Sequence, residues 1–165
     1  MNWTRRNVGL LVTAFGMFCF AGVLLRSFWR NDSGVSEQAF FYDLSEKKLF
    51  VADRGQIPPI RGLNNTTEDG VRAVVISTNG QPKDKATWQI AYLEMYSPEL
   101  KKELTAAKAA GIASSVSRGA AQALRFVKRV GDAQWVSLTS NEGEQLVTEW
   151  VALGTGGTQA VVCSP

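Results

Sequence analysis

Fifteen carboxylates, two thiols and no imidazole define the chemistry open to this chain. Without histidine there is no Ser-His-Asp or Cys-His arrangement, no near-neutral proton switch and no imidazole ligand for a transition metal. What remains is carboxylate chemistry, in which one acid protonates a leaving group while a second, about 5–10 Å away, activates water or attacks. Asp43, Asp53, Glu68, Asp69, Asp84 and Glu94 are the candidates, and no spacing among them places two on one face of an element.

Asn64 to Gly70 faintly resembles an oxygen-ligated calcium loop, which wants alternating Asp or Asn and a glycine for the turn; solvated loop polarity accounts for it more simply. Gly154-Thr155-Gly156-Gly157-Thr158 is the one glycine-rich loop. Phosphate binding asks for a strand before such a loop and a helix N-terminus after it. Here a helix pattern precedes, a strand pattern follows, and no lysine comes after the glycines. No catalytic, cofactor-binding or metal-binding residue is therefore assigned, and no cofactor is expected.

Cys19 lies inside an apolar run and Cys163 near the other end of the sequence. They cannot pair if one sits within a bilayer and the other outside it. Cys163 reads as an inert small residue, with a free thiol or an intermolecular bridge as the alternatives. The net charge is +3, and Lys47–Lys48, Lys101–Lys102 and Arg125–Lys128–Arg129 are small groups among acids. A nucleic-acid binder shows a basic stripe with interleaved aromatics, so no nucleic-acid partner is expected.

The elements that hold these groups begin with the apolar run Val8 to Leu25. As a helix, about 18 uncharged residues rise roughly 27 Å, just enough for a hydrocarbon core of about 30 Å. The expected lipid-facing anchor includes Val8, Leu11, Phe15, Phe18 and Leu25, with Trp29 at interfacial depth. Gly9, Thr13 and Gly16 fall near one helical face, where small residues let a second membrane helix approach. Arg5 and Arg6 precede the run, and Arg26 and Arg30 follow it. The balance favours a cytoplasmic N-terminus with the remaining chain outside the inner membrane. A cleaved signal peptide and a twin-arginine signal are the competing readings of this segment.

Residues 1–30 are thus read as tail and anchor, 31–38 as a polar tether, and 39–165 as one small α+β domain. Ala39 to Ala52 predicts a β-hairpin with Ser45 to Lys48 as its loop. Ile57-Pro58-Pro59-Ile60 must be extended, since two prolines remove donors and fix φ. Val71 to Thr78 is apolar on both faces and predicts a central strand. Asn79-Gly80 turns the chain into a returning strand, Thr87 to Met95. Ser97-Pro98-Glu99 opens a helix closed by Gly111. Ser114 to Ala123 carries no periodic signal. Leu124 to Val130 and Trp135 to Thr139 predict strands, Asn141 caps a second helix, and Ala160 to Val162 is a candidate last strand. Trp88, Trp135 and Trp150 are expected in the core. The fold class expected is an N-terminal transmembrane helix followed by a small antiparallel sheet with two helices packed on one face.

The motifs FFYDLSEKKLFVA, IPPI, GVRAVVIST, AYLEMYSPELKKEL, RFVKRV and WV, spanning most of Phe40 to Val136, resemble a family of small single-pass membrane proteins of planctomycete-type bacteria. The resemblance implies an anchored small domain and brings no known activity. Relatives of this type often carry a close cysteine pair after the GVRA strand. This chain has Ser77-Thr78-Asn79-Gly80-Gln81 there, so no site is carried over. The expected function is a membrane-anchored, non-catalytic extracytoplasmic domain that binds a partner protein or supports an envelope assembly. An envelope hydrolase using paired carboxylates is the alternative.

Overall fold

The computed structural model describes residues 36–64 and 66–165. The expected anchor residues Val8, Leu11, Phe15, Phe18, Leu25 and Trp29, and the stripe Gly9, Thr13 and Gly16, lie outside the described residues. Among the described residues no helix is long and apolar enough to cross a membrane.

Among the described residues seven strands and three helices follow one another as β1 (Gln38–Asp43), β2 (Lys48–Asp53), β3 (Gly70–Ser77), β4 (Trp88–Tyr96), α1 (Pro98–Ala110), α2 (Arg118–Ala123), β5 (Arg125–Lys128), β6 (Val136–Ser137), α3 (Asn141–Glu149) and β7 (Val161–Val162). All pairings are antiparallel, in the order β2-β1-β3-β4-β5-β6, with β7 added to β3. The fold is α+β with an antiparallel sheet. β3 is central, as its doubly apolar sequence requires: Val71, Val75 and Ile76 are all buried.

Differences from the sequence expectation are local. The hairpin loop is Leu44 to Lys47, one residue early, because Lys48 pairs with Asp43 and Lys47 takes the left-handed turn position at φ 53°. Ser97 caps α1 by accepting from Leu100 N–H, and Gly111 closes it at φ 66°. The cap of α3 is Ser140 and not Asn141; the Ser140 hydroxyl accepts from Gly143 N–H at 3.0 Å. A Cβ on Gly143 would collide with the Ser137 carbonyl, so the close seating of α3 on β6 admits only glycine there. A third helix, α2, forms in the unplaced segment, capped by Ser117. Three of its six residues are alanine, so it draws on intrinsic propensity and not on an apolar stripe.

Strand register divides the side chains between two faces. Phe40, Tyr42, Val71, Ala73 and Leu93 share one face with Val75 and Cys163, and Leu44, Trp88, Ile90, Met95 and Trp135 pack against them. Phe41, Arg72, Glu94 and Val127 stand in register on the other. The three tryptophans are half-buried where a full core position was expected. Trp88 meets Phe40 edge-on at 5.3 Å, and its indole N–H donates to the Pro82 carbonyl at 3.0 Å. An indole N–H needs such a partner, which holds the ring at the border of the core.

Candidate functional site

β2 is an edge strand, and its alternation sends Phe50 and Ala52 to the face that carries Phe41 and Arg72. Beyond it the chain turns, with Asp53 Oδ1 accepting from Gly55 N–H at 2.7 Å. The diproline segment then crosses in extended form, and its last residue, Ile60, exchanges two backbone hydrogen bonds with Gly70 at 2.7 and 2.8 Å. Pro58 is fully buried. α1 lies alongside, with Leu100 and Ala107 buried. Between α1, β2 and the crossing segment a cleft of about 470 Å³ stays open. Phe50, Ala52, Ile57, Pro59 and Ile60 line its apolar part; Arg61, Glu68, Lys101, Thr105 and Lys108 line its polar part.

Three of the four charged side chains here are cationic. Lys101 Nζ donates to the Pro59 carbonyl at 2.7 Å and to Glu68 at 2.6 Å, and Lys108 Nζ donates to the Gly55 carbonyl at 2.9 Å. An ammonium has three donors, so each lysine keeps at least one for a ligand. The Lys101 hydrogen bond and charge hold the Glu68 carboxyl below its ordinary range. Next to the cleft, Arg72 lies over the Phe41 ring at 5.4 Å and donates to the Arg54 and Gln56 carbonyls. Lys101, Lys108 and Arg72 thus fasten carbonyls of the 54–59 turn, and the two lysines, with Arg61, leave positive charge facing the cleft.

Of the acids singled out from the sequence, Glu68 lines this cleft and the others lie elsewhere. Asp53 closes its turn, Asp84 caps a short 3-10 helix at Lys85–Thr87 and accepts from Asn79, and Glu94 pairs with Arg125 at 2.5 Å. Asp43 and Asp69 do converge, a meeting that 25 intervening residues hide from any spacing argument. A Cβ on Gly62 would strike Asp43 Oδ2 and Asp69 Oδ1 alike. Asp43 is wholly buried and accepts from Leu63 N–H, Glu46 N–H and the Ser45 hydroxyl at 2.6, 2.8 and 2.9 Å. It therefore organises the loops around it and presents no open face. A second hollow of about 310 Å³, beside α3, holds Asp132 and Glu142 together with Lys128. Asp132 accepts there from Arg129 N–H at 3.1 Å.

Comparison with protein-family models, curated proteins and solved structures finds no match. Among the described residues no group of three or more Cys, Asp or Glu side chains is placed to hold a metal ion. Cys163 is buried and unbridged, and burial pushes its thiol up. The 154–158 loop is fastened to the end of β3: Thr155 N–H and its hydroxyl both donate to the Thr78 carbonyl. A Cβ on Gly154 would collide with the Thr158 carbonyl. These glycines make a tight turn.

Asp43 gives a pH prediction. The Glu46 backbone hydrogen bond, with those from Leu63 and Ser45, outweighs burial and holds its carboxyl below the ordinary value of 3.8. A carboxyl depressed in the folded state is protonated first in the unfolded chain. Its stabilisation is complete above about pH 4 and is lost as pH falls through the lower, folded value. Asp43→Asn is expected to lower stability at neutral pH and to flatten the acid limb of the stability profile below pH 4. Urea unfolding of both proteins between pH 7 and pH 2.5 measures this.

Proposed function

We propose that the chain is a single-pass, membrane-anchored extracytoplasmic domain, non-catalytic, that engages a partner protein at the cleft between β2 and α1. The observation that carries the reading is the cleft's composition: an apolar floor with Arg61, Lys101 and Lys108 against one acid, Glu68. Such a surface recognises an acidic, partly apolar ligand and contains no nucleophile-base pair. The anchor rests on the Val8–Leu25 run and on the family resemblance. The hydrolase alternative would draw on Asp132 and Glu142, which share a hollow.

Purification of the full chain from membranes in mild detergent tests this. The expected result is retention in the membrane through alkaline wash, and co-elution of a stoichiometric protein that dissociates in about 0.5 M salt, where exposed charges are screened beyond a few ångströms. Elution of the chain alone would count against partner binding. Unchanged co-elution with a Lys101→Glu/Lys108→Glu variant would move the site away from the cleft.

A further inference from the structure

The free edge of β2 and the basic cleft beside it form one surface. In an antiparallel ladder, alternate residues point both backbone groups at the neighbouring strand and the others point both away. Arg54 N–H donates to the Glu37 carbonyl at 2.8 Å, so that pair faces inward. Counting back by two through the register, Ala52 and Phe50 also face β1, while Val51 and Leu49 turn their N–H and C=O groups outward. β2 ends the sheet, and no described residue bonds to those outward groups. The side chains of Leu49 and Val51 are 38% and 44% exposed.

We propose that this edge accepts an extended acidic peptide segment of a partner protein as an added strand. The proposal rests on the partner-binding reading above and specifies its chemistry. Backbone hydrogen bonds to Leu49 and Val51 supply register, as in other strand-addition complexes. Side chains of the added strand that fall beside Phe50 and Ala52 point into the cleft, where the positive charge selects acids. Those beside Leu49 and Val51 lie on the opposite face and are apolar. The spacing fits: Lys101 and Lys108 are seven residues apart on α1, about 10 Å along the helix. Alternate strand residues are about 7 Å apart, so acids two or four positions apart reach both lysines through flexible stems. Thr105, between the lysines, also lines the cleft.

The probe is a fluorescein-labelled nonapeptide of alternating Glu and Val, titrated by anisotropy against the full-length chain in neutral detergent micelles. A block peptide of the same composition is the control. The alternating peptide is expected to bind about tenfold or more tightly than the block, the worth of one or two hydrogen bonds. Backbone N-methylation at one parity of residues is expected to abolish binding, and at the other parity to spare it. Val51→Pro removes only an outward donor, which an edge strand tolerates. It is expected to weaken binding at least tenfold, while urea unfolding shows the domain still folded. Lys101→Glu/Lys108→Glu is expected to weaken binding and to reverse its salt dependence, since salt then screens a repulsion.

Equal binding of block and alternating peptides, or indifference to methylation parity, overturns strand addition and leaves a charged cleft that can still hold a partner. Binding of neither peptide also overturns it; the co-purification above then decides the partner reading by itself. Self-association of the chain that Val51→Pro removes, without peptide binding, would give the edge to a second copy and overturn the proposal.

Discussion

Phe41→Ala is expected to destabilise the domain by about 3–5 kcal/mol, the range for truncating a fully buried phenylalanine. Phe41 has no exposed surface, its ring lies 5.9 Å from that of Phe50, and the Arg72 guanidinium covers its other side. Truncation would leave a cavity and also uncover a cation, so the site cannot simply collapse. The effect should extend to the cleft, because Phe50 is part of its lining and Arg72 fastens the 54–56 turn. Urea unfolding of the full chain in detergent would show the midpoint fall with the slope unchanged. A loss below about 1 kcal/mol would mean that β1 does not bury this residue in solution. Phe41→Leu, which keeps most of the volume, should recover more than half of the loss.

The second large effect concerns Arg125. Its guanidinium meets Glu94 Oε1 at 2.5 Å, and Glu94 is only 5% exposed. Tyr92 and Tyr96 are on the same strand, two residues to either side, and burial, with the Glu94 charge second, raises both phenols. Burial opposes the charge on Arg125, yet the Glu94 hydrogen bond and charge outweigh it and hold the guanidinium above its ordinary value. Arg125→Met would leave a buried carboxylate without its cation. Removing one partner of a buried pair costs about 3–5 kcal/mol. Since 32% of the Arg125 side chain is exposed, about 2–4 kcal/mol is expected. The double variant Arg125→Met/Glu94→Leu should recover most of that loss, because an apolar pair of similar volume avoids the desolvation of both charges. A double variant no better than the single would show that the arginine acts through packing on Tyr96, whose ring lies 5.6 Å from it, and not through charge.

What could be read in the sequence was local. Ser97-Pro98-Glu99 and Gly111 bounded α1 because capping chemistry is written in four or five neighbouring residues. The doubly apolar Val71–Ile76 run announced a central strand for the same reason. α2 was illegible because alanine propensity leaves no periodic mark. The cleft was illegible for a different reason. Phe50, Ile60, Glu68 and Lys101 come from four separate stretches and meet only after a hairpin, a diproline crossing and a helix have been assembled. The convergence of Asp43 with Asp69 over Gly62 is of this kind too. Gly62 was the available signal, yet a glycine among asparagines and threonines is indistinguishable from an ordinary turn residue.

The pairing of β7 with β3 has a consequence for the order of events during synthesis. Ile76 finds Val162 as its neighbour, and Cys163 N–H donates to the Val75 carbonyl at 2.8 Å. At translation rates of about 5–20 residues per second, roughly ten seconds separate the emergence of these two segments. Throughout that interval the upper half of β3 has one flank bare, in a nascent chain whose hairpin and β4 can already have docked. A bare apolar edge is a template for pairing with another chain. The last-made segment therefore acts as a seal, and slowing its arrival with rare codons between Val130 and Val161 should raise the aggregated fraction without altering a single residue.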